Sequence, residues 1–131
     1  MADYKKLLVW QKAHALALNA HRAAAGMRGA QYSALRSQIT RAAFSIPANI
    51  VEGREQRAES AFARYLRIAL GSSSELDYHI GAARDIGGLT TEAHAALEEQ
   101  VVEVRMMLHG LLRRLEPKVE NATSKSPGPL S

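Results

Sequence analysis

The chain is 131 residues long, carries a net charge of +4 and contains no cysteine. That length builds one domain with a substantial core but not two. The absence of cysteine excludes both a disulfide framework and a thiolate metal site. Alanine is abundant, aromatics are few and β-branched residues are scattered, which favours helix over strand. The N-terminal stretch MADYKKLLVWQK lacks the long apolar core of a signal peptide, and no apolar run approaches the roughly 20 residues of a spanning helix. These features predict a soluble, cytoplasmic protein with no membrane partner.

Four helical segments follow one another. The first spans about Leu7 to Ala25, with Val9, Ala13, Leu16, Ala20 and Ala24 on one face. Gly26 and Gly29 bracket the break after it. The second spans about Ser33 to Glu52, and Gly53 is placed to end it as a left-handed stop. Pro47 lies inside this helix, where it should bend the chain near Ala43 without breaking the apolar phase. A polar connection, Arg54 to Glu59, leads to a third helix of about Ala61 to Asp85, with Ser60 as its expected cap. Phe62, Leu66, Ala69, Ser73, Leu76, Ile80 and Ala83 form its apolar seam. Gly71 and Gly81 weaken that helix by about 1 kcal/mol each relative to alanine, a cost usually offset by close approach of another backbone. After Gly87 and Gly88, Thr90 or Thr91 can cap a fourth helix whose stripe is Ala93, Leu97, Val101, Val104, Leu108, Leu111 and Leu115. Pro117 should end it, leaving residues 117–131 as a disordered tail beyond a bundle domain of residues 1–116. The fold class expected is all-α, an antiparallel up-down-up-down four-helix bundle.

The second helix carries two stripes. Leu35, Ile39, Ala42, Ile46 and Ile50 form the apolar one; Gln38, Arg41, Ser45, Asn49 and Glu52 recur at the same spacing about 100° around the helix. An ordered polar row of this kind suits a helix with protein on two sides, where each polar atom must find a partner. Two readings stay open. Arg41 pairs with Glu75 or Glu52 inside one bundle, or Arg41, Asn49, Glu52 and Glu75 form a network between subunits or around a ligand.

Several short strings match a known signature. Gln38-Ile39, Arg41-Ala42-Ala43, Ser45 to Ile50 (SIPANI) and Glu52-Gly53 resemble the central motif of the 23S ribosomal RNA intervening-sequence protein family. Val9-Trp10, Tyr65-Leu66, Ile68-Ala69, Gly71-Ser72, Glu75-Leu76 and Met107-Leu108 extend the likeness over about residues 4–115. The resemblance implies a small bacterial four-helix bundle that assembles as a homopentameric ring and has no catalytic role. It also implies kinship with the accessory variability determinant protein of diversity-generating retroelements, a similar pentamer that engages reverse transcriptase and nucleic acid.

Catalytic chemistry finds little footing. There is no cysteine nucleophile, no Gly-x-Ser-x-Gly and no glycine-rich phosphate loop. Glu75 and His79 stand four apart on the third helix, a spacing that metal ligands use, but no Glu-x-x-His pair accompanies them. No catalytic residue, cofactor or metal is expected. Trp10 reads as a packing anchor beside Val9 and Leu7 or Leu8. Charge is uneven: residues 1–57 hold nine Lys or Arg against three acids, and residues 58–131 hold eight against ten. Arg22, Arg28, Arg36, Arg54 and Arg57, with Lys5, Lys6 and Lys12, are the candidate contacts to RNA or DNA, repeated around any ring. The sequence thus predicts a non-enzymatic scaffold or adaptor that binds its own copies. A basic oligomer that binds nucleic acid, or an enzyme acting on it, is the alternative.

Overall fold

In the computed structural model, residues 3–123 are described, with side chains from Asp3 to Leu115. Four helices dominate: α1 (Leu8–Ala25), α2 (Ser33–Arg54), α3 (Glu59–Asp85) and α4 (Thr91–Thr123). Single 3-10 turns at Tyr4–Lys6 and Ala30–Tyr32 precede α1 and α2. Each helix packs on its chain neighbours, and α4 closes the circuit on α1, while the backbones of the diagonal pairs stay more than 8 Å apart between Cα atoms among the described residues. This is the up-down-up-down bundle that four apolar stripes and short connections dictate.

The α1 and α3 stripes are buried throughout, whereas Leu35, Ala93 and Leu111 of the α2 and α4 stripes are half-buried and Leu112 is buried beside Leu111. Leu16, Ile39, Ile46, Ile50, Leu66, Leu76, Ile80 and Leu108 are fully buried and set the core's depth. Alanines fill the spaces between them, and Ala13, Ala17, Ala20, Ala42, Ala43, Ala63 and Ala69 lose all exposure. Short side chains at those positions let the helices approach closely. The α2 helix runs through Pro47, which is buried, so the second segment is one helix.

The helix ends depart from the sequence expectations in three places. Gly53 is not a left-handed stop: it is helical and buried inside α2, which continues to Arg54. A Cβ there would lie 2.8 Å from Phe62 Cδ1 and 2.9 Å from Tyr65 Cβ, so the glycine serves close contact with α3. Ser60 does not cap α3, which begins at Glu59 after Ala58 with no side-chain cap. The Phe62 amide already bonds the Ala58 carbonyl at 3.1 Å, so the first turn forms ahead of the serine. The backbone of α4 stays helical past Pro117 to Thr123, and residues 124–131 of the expected tail lie outside the described residues. Beyond the backbone of their own helix, Gly71 and Gly81 have nothing among the described residues within 4 Å of where a Cβ would stand, so no neighbouring helix of the bundle accounts for them.

Thr90 does cap α4, its Oγ1 accepting the Ala93 amide at 3.0 Å. The α1–α2 and α3–α4 connections lie at one end of the bundle and pack on each other. Gly88 makes room for Met27, whose Cε would be 2.8 Å from an added Cβ. Gly29 and Gly87 hold positive φ angles of 112° and 83°, which a side chain would resist.

Candidate functional site

The polar row of α2 meets α3 along one edge. Arg41 pairs with Glu75 and donates from Nη2 to Gln38 Oε1 at 2.9 Å. His79 Nε2 stands 3.6 Å from the same Glu75 oxygen. Below them Ser45 Oγ and Ser72 Oγ are 2.7 Å apart, and Asn49 Nδ2 donates to the Ser45 carbonyl at 2.8 Å and to its Oγ at 3.0 Å. Within the chain Arg41 is thus paired with Glu75 and not with Glu52. The expected shelter is incomplete. Ser45, Asn49 and Glu75 are half-buried, but Gln38, Arg41 and Glu52 are exposed, because among the described helices α2 packs on α1 and α3 and the row falls at the rim of the α3 contact. Glu52 lies apart from the Arg41–Glu75 pair; its carbonyl accepts from Gln56 Nε2 at 3.0 Å.

Glu75 belongs to a second row on α3. Ile68, Gly71, Glu75, Tyr78 and Ala82 follow one another at steps of three and four, which places them along one side of the helix. Tyr78 is 71 % exposed and Ile68 40 %, and both Gly71 and Gly81 are open above their Cα atoms. Near the end of α3 the row continues into a shallow depression lined by Asp77, Tyr78, Gly81, Ala82, Asp85 and Ile86. A helix face that exposes large apolar groups beside bare backbone offers a second helix both contact area and close approach.

The candidate basic residues separate into two sets. Arg22, Arg28 and Arg36 cluster at the end carrying the α1–α2 loop; Arg54 and Arg57 lie at the other end, about 30 Å away along α2. Arg36 has a structural task, donating from Nη1 to the Met27 carbonyl and to the Gly29 carbonyl at 2.9 Å, which braces the loop. Arg22 is exposed and donates to Asn19 Oδ1 at 3.1 Å, and Arg28 is exposed. Antiparallel topology brings Lys5, Lys6 and Lys12 of the first segment, Arg54 and Arg57, and Arg113 and Arg114 of α4 to the same end. Basic residues of the first chain half therefore stand at both ends of the bundle, and Arg113 and Arg114 of the second half join one of them. Sequence pattern does not single out Arg113 and Arg114; only their adjacency hints at a role. Lys12 is partly neutralised by Glu103 at 3.6 Å.

Arg105 is likewise invisible to sequence reasoning. Its Nη1 reaches from α4 to the Leu70 carbonyl at 3.0 Å, Ser73 Oγ at 2.6 Å and Ser74 Oγ at 2.7 Å. With Ser72 bonded to Ser45, the serine run of α3 ties that helix to both α2 and α4. Trp10 is half-buried against the core, edge-on to Tyr4 with centroids 5.0 Å apart and stacked on His14 at 4.8 Å. Its ring contacts join the first turn to α1.

Among the described residues no three His, Asp or Glu side chains gather as metal ligands would, and no helix is long and apolar enough to cross a membrane. No curated protein matches the chain. A crystal structure of a protein with unknown function from the S23 ribosomal protein family of Bacteroides thetaiotaomicron superposes with a TM-score of 0.75 at 23% identity. The match covers 80% of this chain and 98% of that one, and it supports the fold. The sequence matches the 23S rRNA-intervening sequence protein family over residues 5–110. Four packed helices and a match over most of the bundle establish that the chain belongs to the 23S rRNA-intervening sequence protein family.

Proposed function

We propose that this protein is a non-enzymatic assembly protein whose chains pack side by side through the outer face of α3. The product is a cyclic homo-oligomer, a pentamer by the family resemblance, that acts as a scaffold or adaptor. One observation carries the reading. Gly71 and Gly81 sit inside a long helix with empty space above them, flanked by exposed Ile68 and Tyr78. Each glycine costs about 1 kcal/mol of helix stability relative to alanine. No contact within the chain offsets that cost, whereas a neighbouring helix seated on the bare backbone would. The partly exposed Arg41–Glu75–His79 cluster borders this face and would be sheltered by the same neighbour. Light scattering of the purified chain tests the reading: a single closed oligomer, several times the 14.3 kDa chain mass and constant over a range of concentrations, supports it. A monomer at every concentration overturns it.

A second reading has its own support. Lys5, Lys6, Arg54, Arg57, Arg113 and Arg114 share one end of the bundle, and a ring would present that set once per subunit. Such a surface suits sequence-tolerant, salt-sensitive binding of RNA or DNA phosphates. Gel retention of RNA at about 50 mM salt that disappears at higher salt supports this reading. Retention unchanged by reversing Arg54 and Arg57 to glutamate counts against it.

A further inference from the structure

A different surface lies at the basic end, between the start of α1 and the later turns of α4. Leu7, Leu8, Met107, Gly110, Leu111 and Arg114 line a groove of about 370 Å³ there. Its floor is apolar, since Leu7, Met107 and Leu111 pack against the core. Leu8 stands at the rim, 57 % exposed. Gly110 leaves the groove unfilled: an added Cβ would find only Arg113 Nη2, at 3.8 Å.

The surroundings are cationic. Lys5, Lys6, Arg113 and Arg114 are exposed about the groove. The described acids nearest in sequence are already engaged, Asp3 in capping the Lys5 amide at 3.0 Å and Glu103 with Lys12 at 3.6 Å. An occupant that satisfies both features must be apolar on one face and negative on the other. We propose that this groove binds an acidic amphipathic helical segment of another protein, its apolar ridge over Gly110 and its carboxylates against Arg113, Arg114, Lys5 and Lys6.

Shape and chemistry favour this occupant over the alternatives. A nucleic acid gains nothing from an aliphatic floor, and no aromatic side chain lines the groove to stack a base. Among the described residues Asp77, Tyr78, Asp85 and Ile86, at the end of α3 and just past it, form an acid-flanked apolar ridge of the chain's own. In the lateral assembly above, that ridge belongs to the ring contact and is not free to fill a groove. The groove itself is complete within one chain, so peptide binding goes beyond the assembly reading and does not require the ring. A helix laid in an apolar groove with charge at the margin is a recurring mode of peptide recognition.

The test uses the full-length chain and a display library of helical peptides with leucine on one face and randomised polar positions on the other. The expected outcome is enrichment of peptides with Glu- and Asp-rich polar faces, whose binding weakens as salt is raised. Gly110→Leu, which fills the groove with a residue the helix tolerates, should weaken those peptides about tenfold or more. Arg114→Glu should weaken them and favour a Lys-for-Glu version of the same sequence, a reversal that loss of folding cannot produce. Selection of no acidic peptide, or equal binding to Gly110→Leu, overturns the proposal. So does a change in the oligomer's mass on Gly110→Leu, which would make the groove a contact between copies. Failure of the wild-type chain to assemble while the peptides still bind would sink the ring and leave the groove standing.

Discussion

Gly53 of α2 faces Phe62 of α3 so closely that a Cβ on the glycine would stand 2.8 Å from Phe62 Cδ1. Tyr65 Cβ would be 2.9 Å away on the same side. Helix propensity alone favours Gly53→Ala by about 1 kcal/mol. The overlap opposes it, because forcing a methyl into a packed interface costs about 1–3 kcal/mol. Neither Phe62 nor the Tyr65 backbone-proximal carbon can swing away as a flexible side-chain tip would. The net expectation is a destabilised Gly53→Ala variant, measured by denaturant unfolding at fixed protein concentration. A variant as stable as wild type would mean that the α2–α3 contact is looser than described.

Arg105 should matter more than its place on α4 suggests. One guanidinium nitrogen meets the Leu70 carbonyl and two serine hydroxyls on α3. Hydrogen bonds to a charged group contribute about 1.5–3 kcal/mol. Arg105→Ala should therefore lower stability by an amount of that order, read from the same unfolding midpoint. Ser73→Ala should cost less, since the Leu70 carbonyl and Ser74 remain for Arg105. An Arg105→Ala loss no larger than that of Ser73→Ala would refute the clamp.

The Arg41–Glu75 pair points the other way. Arg41 is exposed and Glu75 partly so in the single chain, with side chains 56 % and 39 % accessible, so solvent screens the attraction. Such pairs contribute about 0–1 kcal/mol. Arg41→Ala should thus change the stability of the isolated chain by no more than that. A much larger loss at concentrations where the wild type is associated, but not where it is dissociated, would place the pair inside an interface.

The bundle is legible in the sequence because burial is periodic: every residue of the α1 stripe from Val9 to Ala24, and every residue of the α3 stripe from Phe62 to Ala83, is buried. Glycine is where pattern fails. Gly29 and Gly87 hold positive φ, Gly53 admits a neighbouring helix, and Gly71 and Gly81 face open space. One letter serves three physical purposes, and the distance to another helix that separates them is not written in local pattern. Arg105 is illegible for a related reason, since its partners lie 31 to 35 residues away and meet it only once α3 and α4 pair. The polar row of α2 is legible as a row. Its depth is not, because periodicity gives the side of a helix but not how far a neighbour extends over it.

Salt dependence separates the two ends of the molecule. Arg36 is committed to loop carbonyls, whereas Arg113 and Arg114 are exposed beside Lys5 and Lys6. If RNA is bound, removing one cation that neutralises a phosphate should flatten the dependence of binding on salt by about one unit of slope. Charge removal at Arg113 and Arg114 should flatten it more than removal at Arg22 and Arg28. Equal effects at both ends would assign no special role to the basic end.

The side-by-side packing of α3 is most directly tested by solution mass after a leucine is placed at Gly71 or Gly81. A Cβ at either position meets nothing among the described residues beyond its own helix, so each variant should keep the bundle and melt no lower as a folded monomer. We expect the wild type to run as a closed oligomer and both variants to fall to monomers. Oligomers of unchanged mass in both variants would show that copies of this chain do not meet across that bare strip of helix.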